Sequence, residues 1–366
     1  MRILVRGSGG LSGWPQPGCR CASCLRAAAG RARGPSAVVI DGAVTLGIPG
    51  AAGTPGAAPT AGAAGGGPRV TELADAAGTG LGGWEVTAAD GSRLLYPARP
   101  GAVPVPPEGA APYQAAFLDM LGDPAQLGGL RARGLVTAAT IVAVAFADHR
   151  VPSEAELRRR CGFWRVALPG DGDRVTTGRS AEIDPPGRGP WRVLVLGGAR
   201  SGKSARAELR LAGEPDVTYV AAGAGRADDA EWAARVAAHR ARRPAWWRTT
   251  ETTDLAGVLA AARGALLIDG IGTWLAAVLG ECGAWAGGGD RWAARLAART
   301  EELVRAWRQT RARVVAVSDE AGLGVVPGTR AGRLFRDELG RLNQALAAES
   351  EETELVIAGR ALPLPG

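Results

Sequence analysis

Lysine is almost absent from this chain of 366 residues: of 43 basic residues, only Lys203 is a lysine. Histidine is nearly as scarce, with His149 and His239 alone. No apolar run approaches the roughly 20 residues that a helix needs to cross a bilayer, so no membrane span is expected. The opening MRILVRGSGG lacks the longer apolar stretch and cleavage site of a secretory signal and reads as a strand and a glycine turn. A cytoplasmic protein is therefore expected. There is also no stripe of basic residues interleaved with aromatics and no RNA-binding motif, so no nucleic-acid partner is expected. The net charge of +7 and the pI of about 9.8 suit anionic substrates such as phosphates, and equally reflect a coding bias toward arginine and alanine.

Scarcity gives single residues weight. A chain that otherwise uses only arginine and keeps one lysine has a chemical use for it, because a compact ammonium enters spaces that a planar guanidinium does not. Three of the five cysteines stand in Cys19-Arg20-Cys21-Ala22-Ser23-Cys24. In a reducing compartment such a cluster is a metal-site candidate before it is a disulfide. Cys19, Cys21 and Cys24 are candidate ligands of a structural Zn²⁺, whose tetrahedron needs a fourth ligand that the sequence does not name. The alternative is three reduced thiols. Cys161 and Cys282 read as core thiols.

Three zones separate along the chain. Residues 1–170 form a first domain, irregular and rich in glycine and proline, with short strand-like runs at Arg2–Val5, Ala37–Asp41 and Thr140–Phe146. Within it Gly47–Arg69 is of low complexity and reads as a flexible loop. Residues 171–190 have linker composition. In residues 191–366 apolar runs alternate with helical patterns. Strands are predicted at Arg192–Leu196, Val217–Ala221, Ala265–Asp269, Arg313–Ser318 and Glu354–Ala358. Helices are predicted at Lys203–Ala212, Asp229–Arg242, Thr273–Leu279, Arg291–Arg308 and Arg330–Ala348. This alternation predicts an α/β fold with a mostly parallel sheet covered by helices on both faces, and a site at the C-terminal ends of its strands.

The strongest motif falls there. Gly197-Gly198-Ala199-Arg200-Ser201-Gly202-Lys203-Ser204 satisfies G-x-x-x-x-G-K-[ST] between a strand and a helix. Its glycines let backbone N–H groups turn inward around phosphates, and the helix N-terminus adds partial positive charge. Lys203 would reach the β- and γ-phosphates and Ser204 would hold Mg²⁺. Asp269, ending the strand ALLID, is either a second Mg²⁺ contact or an N-cap of the next helix.

His239 lies in DDAEWAARVAAHRARRP. Helical spacing puts Ala233, Ala234, Ala237, Ala238 and Ala241 on one face and Arg235, His239 and Arg242 on the other. Flanking cations disfavour protonation, which would keep the imidazole neutral and nucleophilic, and they would neutralise a polyphosphate under attack. Pro244 then ends the helix.

GGARSGKS, the helix ending HRARRPAWWRTTE, LLIDGIGTWLAAVL and VVAVSDEAGLGVVPGTRAGRLFRDELGRLNQALA together resemble the bifunctional adenosylcobinamide kinase/adenosylcobinamide-phosphate guanylyltransferases, from about Trp191 to Leu364. The resemblance implies two reactions. ATP or GTP phosphorylates adenosylcobinamide. A histidine, here His239, then attacks the α-phosphorus of GTP, and the GMP it carries passes to the cobinamide phosphate. Lys203 acts with it. The implied nucleotide contacts are Gly197 through Ser204, Ala222, Gly223, Ala224, Arg240, Ala241, Arg242, Arg243, Glu251 and Asp269, and the implied assembly is a homotrimer. This sequence departs from the family's pattern in having Asp319 where asparagine is frequent, in having Ala276-Ala277 in place of a threonine-asparagine pair, and in a slightly longer segment between Tyr219 and Glu231. These departures bear on corrinoid contacts more than on nucleotide chemistry.

In the first domain GSGGLSGWPQPGCRCASC, SAVVIDG and FADHRVPSEAEL resemble parts of the metallo-β-lactamase-like phosphodiesterases. Their His-x-His-x-Asp-His metal cluster is absent, and His149 alone cannot hold a two-metal centre. A degenerate α/β domain with a structural or regulatory role is expected. Two other readings remain at this stage: a P-loop kinase for another small alcohol without guanylyl transfer, and a non-catalytic nucleotide-binding module.

Overall fold

The computed structural model describes residues 1–47, 60–61, 67–78, 80–178, 192–223, 243–286 and 291–365. The chain divides into two compact units: Met1–Gly189 with Ala212–Pro215, and Pro190–Leu211 with Asp216–Gly366. Among the described residues no helix is long and apolar enough to cross a membrane.

Among the described residues the N-terminal unit contains ten strands: β1 (Arg2–Gly7), β2 (Ala37–Ile40), β3 (Val44–Gly47), β4 (Thr60–Ala61), β5 (Arg69–Ala74), β6 (Leu81–Thr87), β7 (Arg93–Pro97), β8 (Ala115–Leu118), β9 (Ile141–Val144) and β10 (Arg174–Thr176). They form two five-stranded sheets, ordered β10-β1-β2-β3-β4 and β5-β6-β7-β8-β9. Ile3, Val5, Val38 and Ile40 of the first sheet share one core with Trp84, Val86, Leu94, Tyr96 and Phe117 of the second. Helices α1 (Ala22–Ala28), α2 (Ala125–Ala132) and α3 (Glu154–Trp164) belong to the same unit.

This half is therefore far more regular than its composition suggests. Many of its glycines serve turns: Asp41 and Gly42, with φ of 50° and 73°, close the hairpin between β2 and β3. The expected linker over residues 171–190 is corrected in its first part. Asp171 accepts hydrogen bonds from the Ser8 N–H at 2.8 Å, the Ser8 hydroxyl at 2.7 Å and the Gly34 N–H at 2.6 Å, and β10 pairs antiparallel with β1. A polar, glycine-containing stretch here makes a turn and an edge strand, because short strands at a sheet edge need little apolar sequence. Residues 179–190 lie outside the described residues, as does most of the low-complexity stretch between Gly47 and Arg69.

The C-terminal unit contains β11 (Arg192–Gly197), β12 (Val217–Ala221), β13 (Arg248–Glu251), β14 (Ala265–Asp269), β15 (Val314–Asp319), β16 (Glu352–Ile357) and β17 (Arg360–Leu364) in one sheet, ordered β13-β12-β14-β15-β11-β16-β17. All neighbours are parallel except the final hairpin β16–β17. Val193 and Val195 point to one face, where they meet Ala207 and Leu211 of α4 (Lys203–Leu211). Leu194 and Leu196 point to the other face, covered by α5 (Leu255–Ala261), α6 (Ile271–Glu281), α7 (Arg291–Gln309) and α8 (Arg330–Ala348). Strands buried on both faces read as continuous apolar runs, which is why five of them were legible. The polar edge strand β13 (RTTE), α5 and the terminal β17 carried no such signal and went unpredicted.

One buried ion cluster fixes α4 to the sheet. Arg206 donates to Glu354 at 3.0 and 2.8 Å, Arg210 donates to it at 3.2 Å, and Arg210 also pairs with Glu352. Burial pushes the Glu354 carboxyl up, but the two guanidiniums outweigh it and hold the group at about 2. The phosphate loop therefore opens into a helix anchored from below.

Candidate functional site

Parallel register gathers the strand ends. Asp269 is opposite Ala221 and Val317, Ala221 is opposite Glu251, and Gly197 is opposite both Asp319 and Val356. The C-terminal ends of six adjacent strands thus meet along one rim, where open parallel sheets bind ligands.

The segment Gly197–Ser204 leaves β11 at this rim and enters α4. A side chain at Gly197 would put its Cβ 2.5 Å from the Ser201 hydroxyl and 2.7 Å from the Val356 carbonyl, so only glycine fits. Gly202 has a φ of 96°, and Arg200 is also in the left-handed region at 57°. Gly198, Ala199 and Arg200 are exposed. Lys203 donates to the Gly198 carbonyl at 3.1 Å, so its ammonium folds back over the loop.

Asp269 is not an N-cap. The cap of α6 is Gly270, in the left-handed conformation and without a side-chain cap bond. The Asp269 carboxylate instead accepts from the Tyr219 hydroxyl at 2.8 Å and, at 3.4 Å, from the Ser204 hydroxyl. Serine and carboxylate thus converge as two oxygen donors for a hard divalent cation. Burial, and then the Asp269 charge, push the Tyr219 phenol well above its ordinary range, keeping it a hydrogen-bond donor.

Of the other predicted contacts, Ala222 is buried and donates its N–H to the Asp269 carbonyl at 3.2 Å. Gly223 lies against α6, where an added Cβ would come within 2.5 Å of Thr273. Glu251 is exposed at the end of β13. The Arg243 guanidinium stacks 3.6 Å from the centre of the Tyr219 ring, a cation–π contact next to Asp269. Ala224, His239, Arg240, Ala241 and Arg242 lie outside the described residues, with the predicted helix Asp229–Arg242. Two neighbours went unmarked as contributors to the site. Tyr219 looked like an ordinary strand residue. Asp319 drew notice only as a departure from the family pattern, although its place at a strand end was the available signal.

The N-terminal unit assembles a second cluster. The sulfurs of Cys19, Cys21 and Cys24 and a ring nitrogen of His149 all lie within 4.8 Å of one another. The Cys24 sulfur is 3.7 Å from His149 Nδ1, close to the ligand-to-ligand spacing of a tetrahedral zinc site. The Cys24 N–H donates to the Cys21 sulfur and the Gln16 N–H to the Cys24 sulfur, each at 3.4 Å. The residues on either side of His149 are engaged elsewhere: Arg150 binds Asp148 and forks onto the buried Asp119 at 2.7 and 2.9 Å. His149, far away along the chain, thus stands where a fourth ligand could complete a tetrahedron with the three cysteines.

The sequence model described as Cobinamide kinase / cobinamide phosphate guanyltransferase matches residues 193–364. The chain is similar to the Bifunctional adenosylcobalamin biosynthesis protein CobP of Pseudomonas aeruginosa, with 42% identity over 181 residues, 48% of this chain and 98% of that protein. It is similar to the Bifunctional adenosylcobalamin biosynthesis proteins CobU of Salmonella typhimurium, at 39% identity over 46% of this chain and 96% of that protein, and of Escherichia coli, at 36% over the same shares. Nearly whole relatives therefore align with one half of this chain. Through its C-terminal unit, the chain belongs to the cobinamide kinase / cobinamide phosphate guanyltransferase family.

Proposed function

We propose that the C-terminal unit phosphorylates adenosylcobinamide with ATP or GTP and then transfers GMP from GTP to the product, giving adenosylcobinamide-GDP in cobalamin assembly. The observation that carries this reading is the phosphate loop on the rim of a parallel sheet, with Lys203 and the Ser204–Asp269 pair beside it, in a family described by these two activities.

The residues suit a triphosphate. Glycine at 197 and 202 leaves room for backbone N–H groups to face phosphate oxygens, and α4 points its N-terminus at them. The buried Ser201 hydroxyl has no partner among the described residues, and a phosphate oxygen would supply one. Lys203 would meet the β- and γ-phosphates. Ser204 and Asp269 would hold Mg²⁺, which when bound neutralises charge on the phosphates.

In the first reaction an alcohol oxygen of adenosylcobinamide bonds to the γ-phosphorus. The bond to the leaving diphosphate breaks, and the alcohol proton is released. In the second, the His239 ring nitrogen bonds to the α-phosphorus of GTP and pyrophosphate leaves. A phosphate oxygen of the cobinamide phosphate then displaces that nitrogen. Ala222–Ala224, Arg240–Arg243 and Glu251 are the further nucleotide contacts, and the assembly is a homotrimer in the cytoplasm. Incubating the protein with adenosylcobinamide, GTP and Mg²⁺ and separating the corrinoids tests the reading. Successive appearance of the phosphate and the GDP adduct is expected. Accumulation of the phosphate alone would support a plain kinase instead.

We read the N-terminal unit as a degenerate hydrolase-like domain in which Cys19, Cys21, Cys24 and His149 hold a structural Zn²⁺. Four protein ligands close the tetrahedron and leave no open position for a reacting water. Metal analysis of the purified full chain should find one zinc per chain; a metal-free protein would contradict this assignment.

A further inference from the structure

The chain's only lysine has an anionic partner. The Lys203 ammonium lies 2.9 Å from Asp319 Oδ1, a half-exposed carboxylate, while the lysine side chain itself is mostly covered. Asp319 belongs to β15, not to the phosphate loop, and its position is fixed from several sides. It sits opposite Gly197 in the parallel register, and the next residue, Glu320, donates its N–H to the Gly197 carbonyl at 3.1 Å. Asn343 of α8 donates to the Asp319 carbonyl at 3.0 Å and accepts from the buried Ser318 hydroxyl at 2.6 Å. The second carboxylate oxygen rests against Gly272 in the first turn of α6, where any Cβ would come within 3.0 Å of it. The carboxylate is thus held at the mouth of the phosphate loop rather than trailing in solvent.

A fixed negative charge in that place acts on any incoming polyphosphate. It competes for Lys203, and it repels the phosphates in proportion to their charge. Mg²⁺ removes two negative charges from a nucleoside triphosphate, and it adds a cation that a nearby carboxylate favours. We propose that Asp319 is a specificity-determining residue that makes the phosphate loop select the magnesium complex of a nucleoside triphosphate over metal-free polyphosphate anions. The proposal rests on the reading of Gly197–Ser204 as a triphosphate site and on no step of guanylyl transfer.

Equilibrium binding of the α,β-methylene analogue of GTP, which cannot release pyrophosphate, tests this with the full-length chain. Affinity is measured once in excess chelator and once in saturating Mg²⁺, for the wild type and for Asp319→Asn. The expected result is that the variant binds the metal-free analogue about tenfold more tightly, while the magnesium complex changes by less than about threefold. Asp319→Glu keeps the charge and should keep the wild-type preference for the magnesium complex, which guards against a variant that merely perturbs folding. Equal changes with and without Mg²⁺, or weaker metal-free binding in Asp319→Asn, would overturn the proposal alone. Failure of the wild type to bind the magnesium complex would overturn the triphosphate site together with it.

Discussion

In the C-terminal unit the candidate site residues Gly197, Asp269 and Asp319 stand on the ends of neighbouring parallel strands, whereas in the N-terminal unit Cys24 and His149, 125 positions apart in sequence, meet. The first arrangement is rigid because Asp269 and Asp319 are paired in the sheet ladder, and Lys203 and Ser204 open a helix pinned by the Arg206–Glu354–Arg210 cluster. The second joins the start of α1 to the segment after β9, which also meet where the Ser23 hydroxyl donates to the Val151 carbonyl at 2.6 Å and Arg26 donates to the Pro152 carbonyl at 3.0 Å. A site on a sheet rim takes its geometry from the strand register, while a site drawn from distant segments takes it from the contacts between those segments.

The largest effect that would sharpen this contrast is expected at Glu354. Glu354→Gln leaves two buried guanidiniums without their carboxylate and should cost about 3–5 kcal/mol of C-terminal-unit stability, read by denaturant unfolding. The same group sets a pH dependence. Its folded pKa is depressed to about 2, so its contribution is complete above the ordinary carboxyl range and fades as pH falls from there toward about 2. Acid unfolding of the wild type should show this loss, and Glu354→Gln should not.

Next comes Lys203. Lys203→Ala should reduce phosphoryl transfer by about 10²–10³-fold in steady-state assays. Lys203→Arg should rescue little of it, since a guanidinium does not reproduce a point charge in that space. Neither change should alter zinc content. Cys24→Ser is expected to do the reverse, abolishing bound zinc on metal analysis while leaving the C-terminal activities within about twofold. Codependence of metal content and transferase activity would contradict the independence of the two sites.

The smallest effect is expected at Tyr219. Tyr219→Phe removes the hydroxyl that holds Asp269 Oδ2 and should weaken Mg²⁺ by about 0.5–1.5 kcal/mol, seen as a raised half-saturating Mg²⁺ concentration with little change in maximal rate.

How much could be read beforehand follows the same division. GGARSGKS declares itself because its glycines, lysine and serine are contiguous and lie between a strand and a helix. Asp269 was visible as a carboxylate ending an apolar run, but its two rival roles separated only when Gly270 proved to be the cap of α6. His149 went unnoticed as a neighbour of the cysteines because it lies 125 positions beyond Cys24 and nothing in the sequence between ties the two together. Trp84, Val86, Leu94 and Tyr96 form the heart of the first core, yet strands of five to seven residues between glycine and proline turns looked irregular. Asp171 likewise read as part of a linker, because a carboxylate that caps Ser8 and Gly34 has the same composition as one in solvent.

Guanylyl transfer as proposed requires His239 to carry GMP. Incubating the full chain with α-labelled GTP and Mg²⁺, without corrinoid, and mapping the bound label to a peptide would test it directly. An acid-labile, alkali-stable label on His239, with loss of pyrophosphate, is expected, and a His239→Ala chain should not acquire it. An unlabelled protein that still phosphorylates adenosylcobinamide, or a label on another residue, would contradict it.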